Sequence, residues 1–448
     1  MRFTSLTEWL TWQQTLHPSA IDLGLARLNR TLARLGWQRP DCPVITVAGT
    51  NGKGSSVALL NRILGEAGCR VGTFTSPHLL RYNERIVIAD REVSDASLVA
   101  AFERIDAARG EETLTFFEFN ALAALLVFET AGLDAIVLEV GLGGRLDAVN
   151  SVDADVALIT SIDLDHCDWL GRDIESIGRE KAGIFRAGRP AIFGSGTMPE
   201  SIQAVADEIG AKLLRHGRDF GYERTADRWS WRGVRGELRD LPPPALFGDI
   251  QFDNAAAVLT VLEALADRLS VSKQAIERGL QTVQIAGRFQ RIRRRNEWIL
   301  DVAHNPAAAR VLATQLQALP ASGRTIGVCG ILGDKDIEGI CGALHSSIDA
   351  WIVAGLSGDR SIGPAKLAGR LRNCGANVIA AHDDVVSACV EADAAAGPND
   401  RVVVFGSFLT VGAASAWLAV DTARSGVPGD SGATFVADVY TLRPWNVT

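Results

Sequence analysis

Hydrophobic positions along the chain alternate between two periods, and this alternation predicts an α/β protein. Apolar residues recur at helical spacing across 5–36, 95–108 and 117–130. Between and after these segments lie short, almost wholly apolar runs, which are typical of strands buried in a parallel sheet. Such runs occur at 44–47, 70–75, 134–140, 156–162 and 190–193. Because the strands alternate with helices, we expect a doubly wound, mostly parallel sheet.

A second set of apolar runs predicts a smaller, Rossmann-like α/β domain in the C-terminal part of the chain. These runs lie near 298–302, 325–329, 350–354, 377–380 and 401–405. The segment Ala286-Gly287-Arg288 predicts a hinge. Residues 212–250 are predicted to form irregular structure. We therefore predict an N-terminal domain at 1–286, a C-terminal domain at 287–424 and an aperiodic tail at 425–448.

Composition limits the class of protein. With 448 residues, two domains are expected. The formal net charge of −8 argues against nucleic acid as a main partner. The amphipathic N-terminus is unlike a signal peptide, and there is no run of 18 apolar residues, so no membrane partner is expected. Seven cysteines without metal-type spacing are consistent with reduced thiols in the cytoplasm.

A glycine-rich turn follows the first predicted strand, and it predicts a nucleotide site. Glycines allow backbone N–H groups to close around phosphate oxygens, a lysine can neutralise the outer phosphates, and a hydroxyl can ligate Mg²⁺. The predicted phosphate loop consists of Gly49, Thr50, Asn51, Gly52, Lys53, Gly54 and Ser55. Its spacing departs from the usual phosphate-loop pattern at Val47 and Gly54, so a glycine-rich turn with a chance lysine is the alternative.

Polar residues end several of the predicted strands. Ser76, Glu139 and His166 all lie at or just beyond a strand's carboxyl end, as does the phosphate loop. In doubly wound sheets ligands bind at this edge, so these residues are expected to converge on one site. For His166 alone, an ordinary loop histidine is the alternative.

The ordered motifs resemble the folylpolyglutamate synthase/dihydrofolate synthase family, ATP-dependent amide ligases related to the Mur ligases. The resemblance covers about residues 20–420, and the extra Gly54 is usual in that family. The motifs are Gly49–Ser55, Ser76-Pro77-His78, Leu138–Asp147, Asp165-His166, Glu180–Ile184, Gly287–Gln290 and Asp301–Pro306.

This resemblance implies that a substrate carboxylate attacks the γ-phosphate of ATP and that the amine of glutamate then displaces phosphate. It implies ATP and two Mg²⁺ sites. The implied metal ligands are Ser55, Ser76, Glu139, His166 and Lys181, with Lys181 carbamylated. The implied catalytic residues are Lys53, His166, Lys181 and Arg288. The alternative for Lys181 is a solvated helix lysine paired with Glu180 or Glu175.

By the same resemblance, the second domain contributes to the nucleotide site. Arg288 would neutralise phosphate charge and Asp301 would hold the ribose or nucleotide. Asn254 and His304 would line the adenine. Catalysis would then require closure about the hinge near 286–287. For Asp301 the alternative is a cap for the helix that starts near Pro306.

Two motifs favour the bifunctional enzymes of the family. Asp22 could accept hydrogen bonds from a pterin, and Phe116 and Phe117 could stack on its ring. The alternative is that these residues are a helix cap and two core aromatics. The full set predicted to bind substrate is Ala20, Ile21, Asp22, Leu23, Arg81, Thr115, Phe116, Phe117, Glu118, Leu146, Asp147 and Ala148.

The expected substrates are dihydropteroate, tetrahydrofolate and L-glutamate, and the expected state is a cytoplasmic monomer. Three alternatives stay open: a folylpolyglutamate synthase with one activity, a Mur-type ligase acting on a UDP-sugar peptide, and a nucleotide-binding switch without ligase chemistry. Only about 43 residues precede the phosphate loop, which leaves little room for a UDP-binding domain.

Overall fold

The computed structural model describes residues 2–319 and 321–425, and it divides the chain into two compact units. The first comprises Met1–Ala245 and Asp249–Gln284, and the second Leu246–Gly248 and Ile285–Thr448. The boundary expected after residue 286 lies two residues beyond the end of the first unit. Of the predicted tail, Ser425 is the last residue of a helix, and 426–448 lie outside the described residues.

The first unit is built on an eight-stranded sheet of order β4-β3-β2-β5-β1-β6-β7-β8. Its strands are β1 (Val44–Ala48), β2 (Val71–Phe74), β3 (Ile86–Ile88), β4 (Arg91–Glu92), β5 (Ala135–Glu139), β6 (Val156–Ile159), β7 (Pro190–Phe193) and β8 (Lys212–Arg215). Strands β1, β2, β5, β6, β7 and β8 pair in parallel, whereas β3 pairs antiparallel with both β2 and β4. The predicted doubly wound, mostly parallel sheet is confirmed.

Helices cover this sheet, and most match the predicted helical segments. They are α1 (Leu6–Leu16), α2 (Ala26–Leu35), α3 (Lys53–Glu66), α4 (Asp95–Arg109), α5 (Phe116–Glu129), α6 (Cys167–Leu170), α7 (Ile174–Ala182), α8 (Glu200–Ile209), α9 (Ile250–Ala264) and α10 (Lys273–Thr282). Strands β1, β5 and β6 are buried at every residue. This continuous burial explains why their sequences are apolar rather than alternating.

The segment 212–250, predicted to be irregular, is not. Besides β8 it contains an antiparallel three-stranded sheet formed by β9 (Gly221–Arg224), β10 (Trp229–Arg232) and β11 (Glu237–Leu241). Trp229 and Trp231 point inward and are almost fully buried, whereas Arg232 is exposed. Burial therefore alternates along β10, as expected when one face of a strand meets solvent. Charged residues on the outer face weaken the hydrophobic pattern from which a strand would be predicted.

The second unit contains a six-stranded sheet of order β12-β13-β17-β14-β15-β16. Its strands are β12 (Gln290–Arg293), β13 (Glu297–Leu300), β14 (Thr325–Cys329), β15 (Ala350–Ala354), β16 (Val378–His382) and β17 (Arg401–Phe405). Its helices are α11 (Pro306–Ala318), α12 (Ile337–Leu344), α13 (Pro364–Asn373), α14 (Val385–Ala395) and α15 (Phe408–Ser425). Only β12, which was not predicted, is antiparallel.

This second sheet carries its own buried core, which includes Trp351, Phe405 and Leu316. The predicted Rossmann-like α/β domain is therefore confirmed as a separate packed unit. Among the described residues, no helix has the length and apolar character needed to span a bilayer.

Candidate active site

The phosphate loop lies between β1 and α3, at the middle of the larger sheet. Gly49 has a φ of +149°, and a Cβ there would lie 1.9 Å from Thr160 Oγ1. Gly52 has a φ of +88° and forms the N-cap of α3, where a Cβ would lie 2.7 Å from Asn254 Oδ1. Both positions therefore require glycine, and the chance-turn alternative leaves these close approaches unexplained.

The end of β6 braces this loop through direct hydrogen bonds. Thr50 N–H donates to the Ser161 carbonyl oxygen at 2.8 Å, and Thr160 Oγ1 donates to the Asn51 carbonyl oxygen at 2.6 Å. Lys53 Nζ lies across the loop and donates to the Gly49 carbonyl oxygen at 2.9 Å. The loop is thus braced by the end of β6 and is also spanned by its own Lys53 side chain.

Ser76 and Glu139, two predicted metal ligands, are brought together beside the loop. Glu139 ends β5, pairs with Val47 of β1 and is 4 % exposed. Its Oε2 accepts a hydrogen bond from Ser76 N–H at 3.3 Å. Ser55, in the first turn of α3, is 3 % exposed. Oxygen ligands of this kind suit Mg²⁺.

Lys181 is buried and points at the phosphate loop. It is 5 % exposed, and its Nζ donates to the Gly49 carbonyl oxygen at 3.1 Å. Burial, reinforced by the charge of Lys53, lowers the pKa of Lys181 to about 7. The solvated-lysine alternative fails, because Glu180 pairs with Arg145 at 2.8 Å and Glu175 accepts backbone N–H groups at the start of α8.

Asp165 and His166 follow β6 on the other side of β1. His166 has a φ of +52°, forms the N-cap of α6, and lies with its Nε2 3.9 Å from Asp165 Oδ2. The Asp165 carboxylate partly counters the lowering of the Lys181 pKa, so it lies within electrostatic reach of that amine. The described residues hold no cluster of three His, Cys, Asp or Glu side chains arranged for a metal.

Asp147, predicted to bind substrate, is a buried acid in the loop between β5 and β6. It is 1 % exposed and accepts hydrogen bonds from Leu142 N–H at 2.8 Å and Val149 N–H at 3.1 Å. Burial raises its pKa to about 7, although these N–H groups and Lys53 oppose the rise. The two residues beside it in the predicted substrate-binding set differ in solvent exposure: Ala148 is buried and Leu146 is half-buried.

The segment with Ala20, Ile21, Asp22 and Leu23 lies between α1 and α2 and is held by Arg27. Arg27 Nη1 contacts Asp22 Oδ2, and Arg27 Nε donates to Glu118 at 2.8 Å. Asp22 does not cap a helix, because the N-cap of α2 is Leu25. Thr115 and Glu118 do form a capping box at the start of α5, as in the structural alternative.

Phe116 and Phe117 are the first two residues of α5, and their side chains pack against different residues. A Cβ on Gly141 would lie 2.5 Å from the Phe117 ring, so this ring covers the backbone that follows β5. Phe116 lies against the Arg85 guanidinium, with 5.5 Å between Cζ and the ring centroid. Both rings are half-buried, which is consistent with either stacking on a ligand or filling the core.

Arg85 is the residue that the sequence analysis missed. Arg81, which was predicted to bind substrate, has a 67 % exposed side chain beside Glu92. Arg85 is instead 4 % exposed and forms no ion pair with any carboxylate in the described part of the chain. Burial lowers the pKa of Arg85, and the charges of Glu84 and Glu139 partly counter this lowering. Arg81 is the N-cap of the 3-10 turn Tyr82–Arg85 and Arg85 is its last residue, and no signal in the sequence shows which of the two side chains is buried.

His78 holds Arg85 in place. Arg85 Nε donates to His78 Nδ1 at 2.8 Å. Burial, together with the adjacent guanidinium, lowers the pKa of His78 to about 3, so the ring is neutral and can accept this bond.

The predicted nucleotide residues of the second unit lie at the end of β13. The Asp301 carboxylate accepts hydrogen bonds from Phe289 and Ala303 N–H, both at 2.8 Å, and burial raises its pKa. Asp301 is not a cap for α11, because Asn305 is the N-cap. Arg288 and His304 both lie beside Phe408, at 5.3 Å and 6.1 Å from its ring centroid. Asn254 belongs to the first unit, where its position beside Gly52 has been described.

Two protein families match the chain in order. Residues 47–194 match the Mur ligase middle domain, and residues 287–408 match the Mur ligase, glutamate ligase domain. The chain is 46 % identical to the dihydrofolate synthase/folylpolyglutamate synthase of Escherichia coli (strain K12), over 94 % of this chain and 97 % of that protein.

Solved structures agree with this assignment. Escherichia coli FolC in complex with DHPP and ADP has a TM-score of 0.88 at 45 % identity and covers 94 % of this chain and 99 % of its own. A bifunctional folylpolyglutamate synthase/dihydrofolate synthase with Mn, AMPPNP and L-glutamate bound has a TM-score of 0.85 at 45 % identity, covering 93 % and 98 %. The chain therefore belongs to the dihydrofolate synthase/folylpolyglutamate synthase family of Mur ligases.

Proposed function

We propose that this chain adds L-glutamate to 7,8-dihydropteroate and to tetrahydrofolate (poly)glutamates, using ATP and forming an acyl phosphate. Family membership supports the ATP-dependent ligation of glutamate. The observation that carries the proposal is the convergence of Lys53 and Lys181 on the Gly49 carbonyl oxygen, next to the Glu139–Ser76 pair. This arrangement places the Lys53 ammonium, the buried Lys181 amine and oxygen ligands where two anions must meet.

In the proposed reaction an acyl phosphate forms first and an amide forms second. An oxygen of the substrate carboxylate attacks the γ-phosphorus, the bond from that phosphorus to the β-phosphate oxygen breaks, and ADP leaves. The amine of glutamate then attacks the acyl carbon, the bond from that carbon to the phosphate oxygen breaks, and phosphate and a proton are released. The main barrier to the first step is repulsion between a carboxylate and a triphosphate.

The phosphate loop residues Gly49–Ser55 would hold the triphosphate, with Lys53 leaving the Gly49 carbonyl to contact it. A divalent metal, when bound, would screen the phosphate charge and orient the transferred group. Ser55, Ser76 and Glu139 fit the first of two such sites, because their oxygens lie at one edge of the sheet. A relative binds Mn with AMPPNP and L-glutamate, and the same ligand classes are proposed for this chain.

We infer that His166 and a carbamylated Lys181 complete the second site. A neutral amine reacts with CO₂, and the lowered pKa of Lys181 makes a large neutral fraction available near neutral pH. The modification exchanges a buried cation for an anion, which removes the repulsion between Lys181 and Lys53.

For the substrate, we propose that Asp147 and Asp22 contact the pterin and that Phe117 stacks on it. Asp147 supports this role because its buried carboxyl can hydrogen-bond to the N–H edge of a pterin. Arg85 would bind a substrate carboxylate, since it is a buried cation that forms no direct ion pair within the described chain, although Glu84 and Glu139 lie within electrostatic reach. Arg288, Asp301 and His304 of the second unit are proposed to contact the nucleotide.

ADP release measures this function directly. We expect release with dihydropteroate plus glutamate and also with tetrahydrofolate plus glutamate. Release with the second pair only would leave a folylpolyglutamate synthase with one activity. Release with neither pair would favour a UDP-sugar ligase or a nucleotide switch.

We also infer that the enzyme is a cytoplasmic monomer, for which light scattering should give a mass near 47.8 kDa.

A further inference from the structure

The loop between β2 and β3 contains a buried cluster that none of the metal or nucleotide assignments uses. Its centre is the Arg85 guanidinium, whose Cζ lies 5.5 Å from the Phe116 ring centroid and 5.8 Å from the Tyr82 ring centroid, beside two rings that meet edge to face. The Tyr82 hydroxyl donates to Asn120 Oδ1, so the Tyr82 ring is itself anchored on α5. The guanidinium is therefore packed beside two aromatic rings, one of which is anchored by a hydrogen bond.

The edge of this guanidinium is held by a single acceptor. Arg85 Nε donates to His78 Nδ1 at 2.8 Å, and no other side-chain acceptor in the described chain contacts Arg85. An arginine side chain has five N–H donors in a planar fork. Because Nε is occupied, the two terminal NH₂ groups are the donors that remain for a ligand. A bidentate contact to a carboxylate needs this planar fork in a fixed orientation.

We propose that His78 is a positioning residue that aims the Arg85 guanidinium at a carboxylate of the substrate. The inference rests on the proposed function, which supplies that carboxylate. Packing beside the Phe116 and Tyr82 rings limits the space open to the guanidinium, and the His78 acceptor fixes the position of its Nε edge. His78 itself need not touch the substrate, so its effect should appear in substrate binding and only through Arg85.

The first test compares two variants of nearly equal shape. In His78→Asn the amide oxygen occupies the place of Nδ1 and can still accept from Arg85 Nε, whereas His78→Leu has a methyl group there. We expect His78→Leu to raise the KM of either the folate substrate or glutamate about tenfold, the cost of losing one hydrogen bond to a charged group. In His78→Leu the KM of ATP should stay within about twofold of the wild-type value. In His78→Asn the KM of the folate substrate and of glutamate should stay within about threefold of wild type, well below that tenfold effect.

The second test asks whether His78 acts through Arg85. Arg85→Lys removes the Nε donor and the fork, so in that background His78→Asn and His78→Leu should have the same KM. This double-mutant cycle isolates the coupling between the two residues. Exposed His345, changed to Asn and to Leu, is the matched control, and neither change should alter any KM.

Several outcomes would overturn the inference. Equal defects in His78→Asn and His78→Leu would do so, as would a His78→Leu defect that persists in the Arg85→Lys background or a defect confined to kcat. If His78→Leu does not fold, as judged by its thermal midpoint, His78→Phe replaces it, because it keeps a ring without an acceptor. A wild-type protein that releases no ADP with either substrate pair would instead reject the proposed function, and this inference with it.

Discussion

Lys181 shows how its surroundings change the chemistry of one side chain. The same Glu-Lys pair on a helix surface would be a solvated ion pair, but here Glu180 faces Arg145 while Lys181 is buried against the Gly49 carbonyl. Burial disfavours the charged form, and a second ammonium group at Lys53 disfavours it further. A lysine in this position is suited to react as a neutral amine.

We predict that Lys181→Ala lowers the rate of ADP release by about 100-fold or more, the size expected when support for a metal site is lost. Added acetate or propionate should partly restore the rate, because a free carboxylate can replace the carbamate. The exposed Lys212→Ala is the control and should behave like wild type. Full activity of the Lys181→Ala variant would exclude the carbamate role.

Asp147 gives a prediction about pH and stability. Its pKa is raised from an ordinary 3.8 to about 7 in the folded protein, so the folded state binds more protons than the unfolded state between these values. Its contribution to stability is therefore fully present below about pH 4 and is lost as the pH rises through about 7.

The measurement is the difference in unfolding free energy between wild type and Asp147→Asn from pH 4 to pH 8. Relative to the variant, wild type should become less stable as the pH rises across this range, with no further change above it. A difference that does not vary with pH would show that Asp147 is not buried as an acid.

At the level of elements, the site depends on backbone segments that approach one another closely. A Cβ on Gly144 would lie 2.7 Å from the Lys181 carbonyl oxygen and 2.8 Å from the Glu180 carbonyl oxygen. The loop after β5 and the end of α7 are thus in direct contact, and Arg145 N–H donates to the Glu180 carbonyl oxygen at 2.8 Å. Backbone atoms cannot give way as a flexible side chain can.

We therefore predict that Gly144→Ala displaces the end of α7. The expected cost is about 1–3 kcal/mol of unfolding free energy, as for overpacking elsewhere, together with a loss of ADP release because Lys181 moves. Gly196→Ala, where a Cβ would meet nothing within 4 Å, should leave both quantities close to wild type. Denaturant unfolding and the ADP assay on both variants provide the test.

For the whole molecule, the proposed chemistry makes metal an obligatory component. Chelation with EDTA should stop ADP release with both substrate pairs, and added Mg²⁺ or Mn²⁺ should restore it. ATP with Mg²⁺ should also raise the thermal midpoint, because a ligand that binds only the folded state stabilises it. ADP release that continues in EDTA would reject the two-metal proposal, whereas the fold and family would stand.

The two α/β units, the glycine-rich loop and the family can all be predicted from local patterns and motifs in the chain. Buried parallel strands are apolar throughout, so β1, β5, β6, β14 and β15 are visible in the hydrophobic pattern, and the glycines of the loop follow from local backbone geometry. Short amphipathic strands carry a weaker signal, which is why the sheet of β9, β10 and β11 was read as irregular.

Which of several similar side chains faces the site becomes visible only in the folded arrangement of the elements. Sequence spacing could not distinguish Arg81 from Arg85, or a solvated Lys181 from a buried one, because these outcomes depend on what other elements cover each side chain. The same reason applies to Glu118, which caps α5 and also binds Arg27 from a segment distant in sequence. Local periodicity predicts elements, whereas burial and charge pairing arise only when distant segments meet.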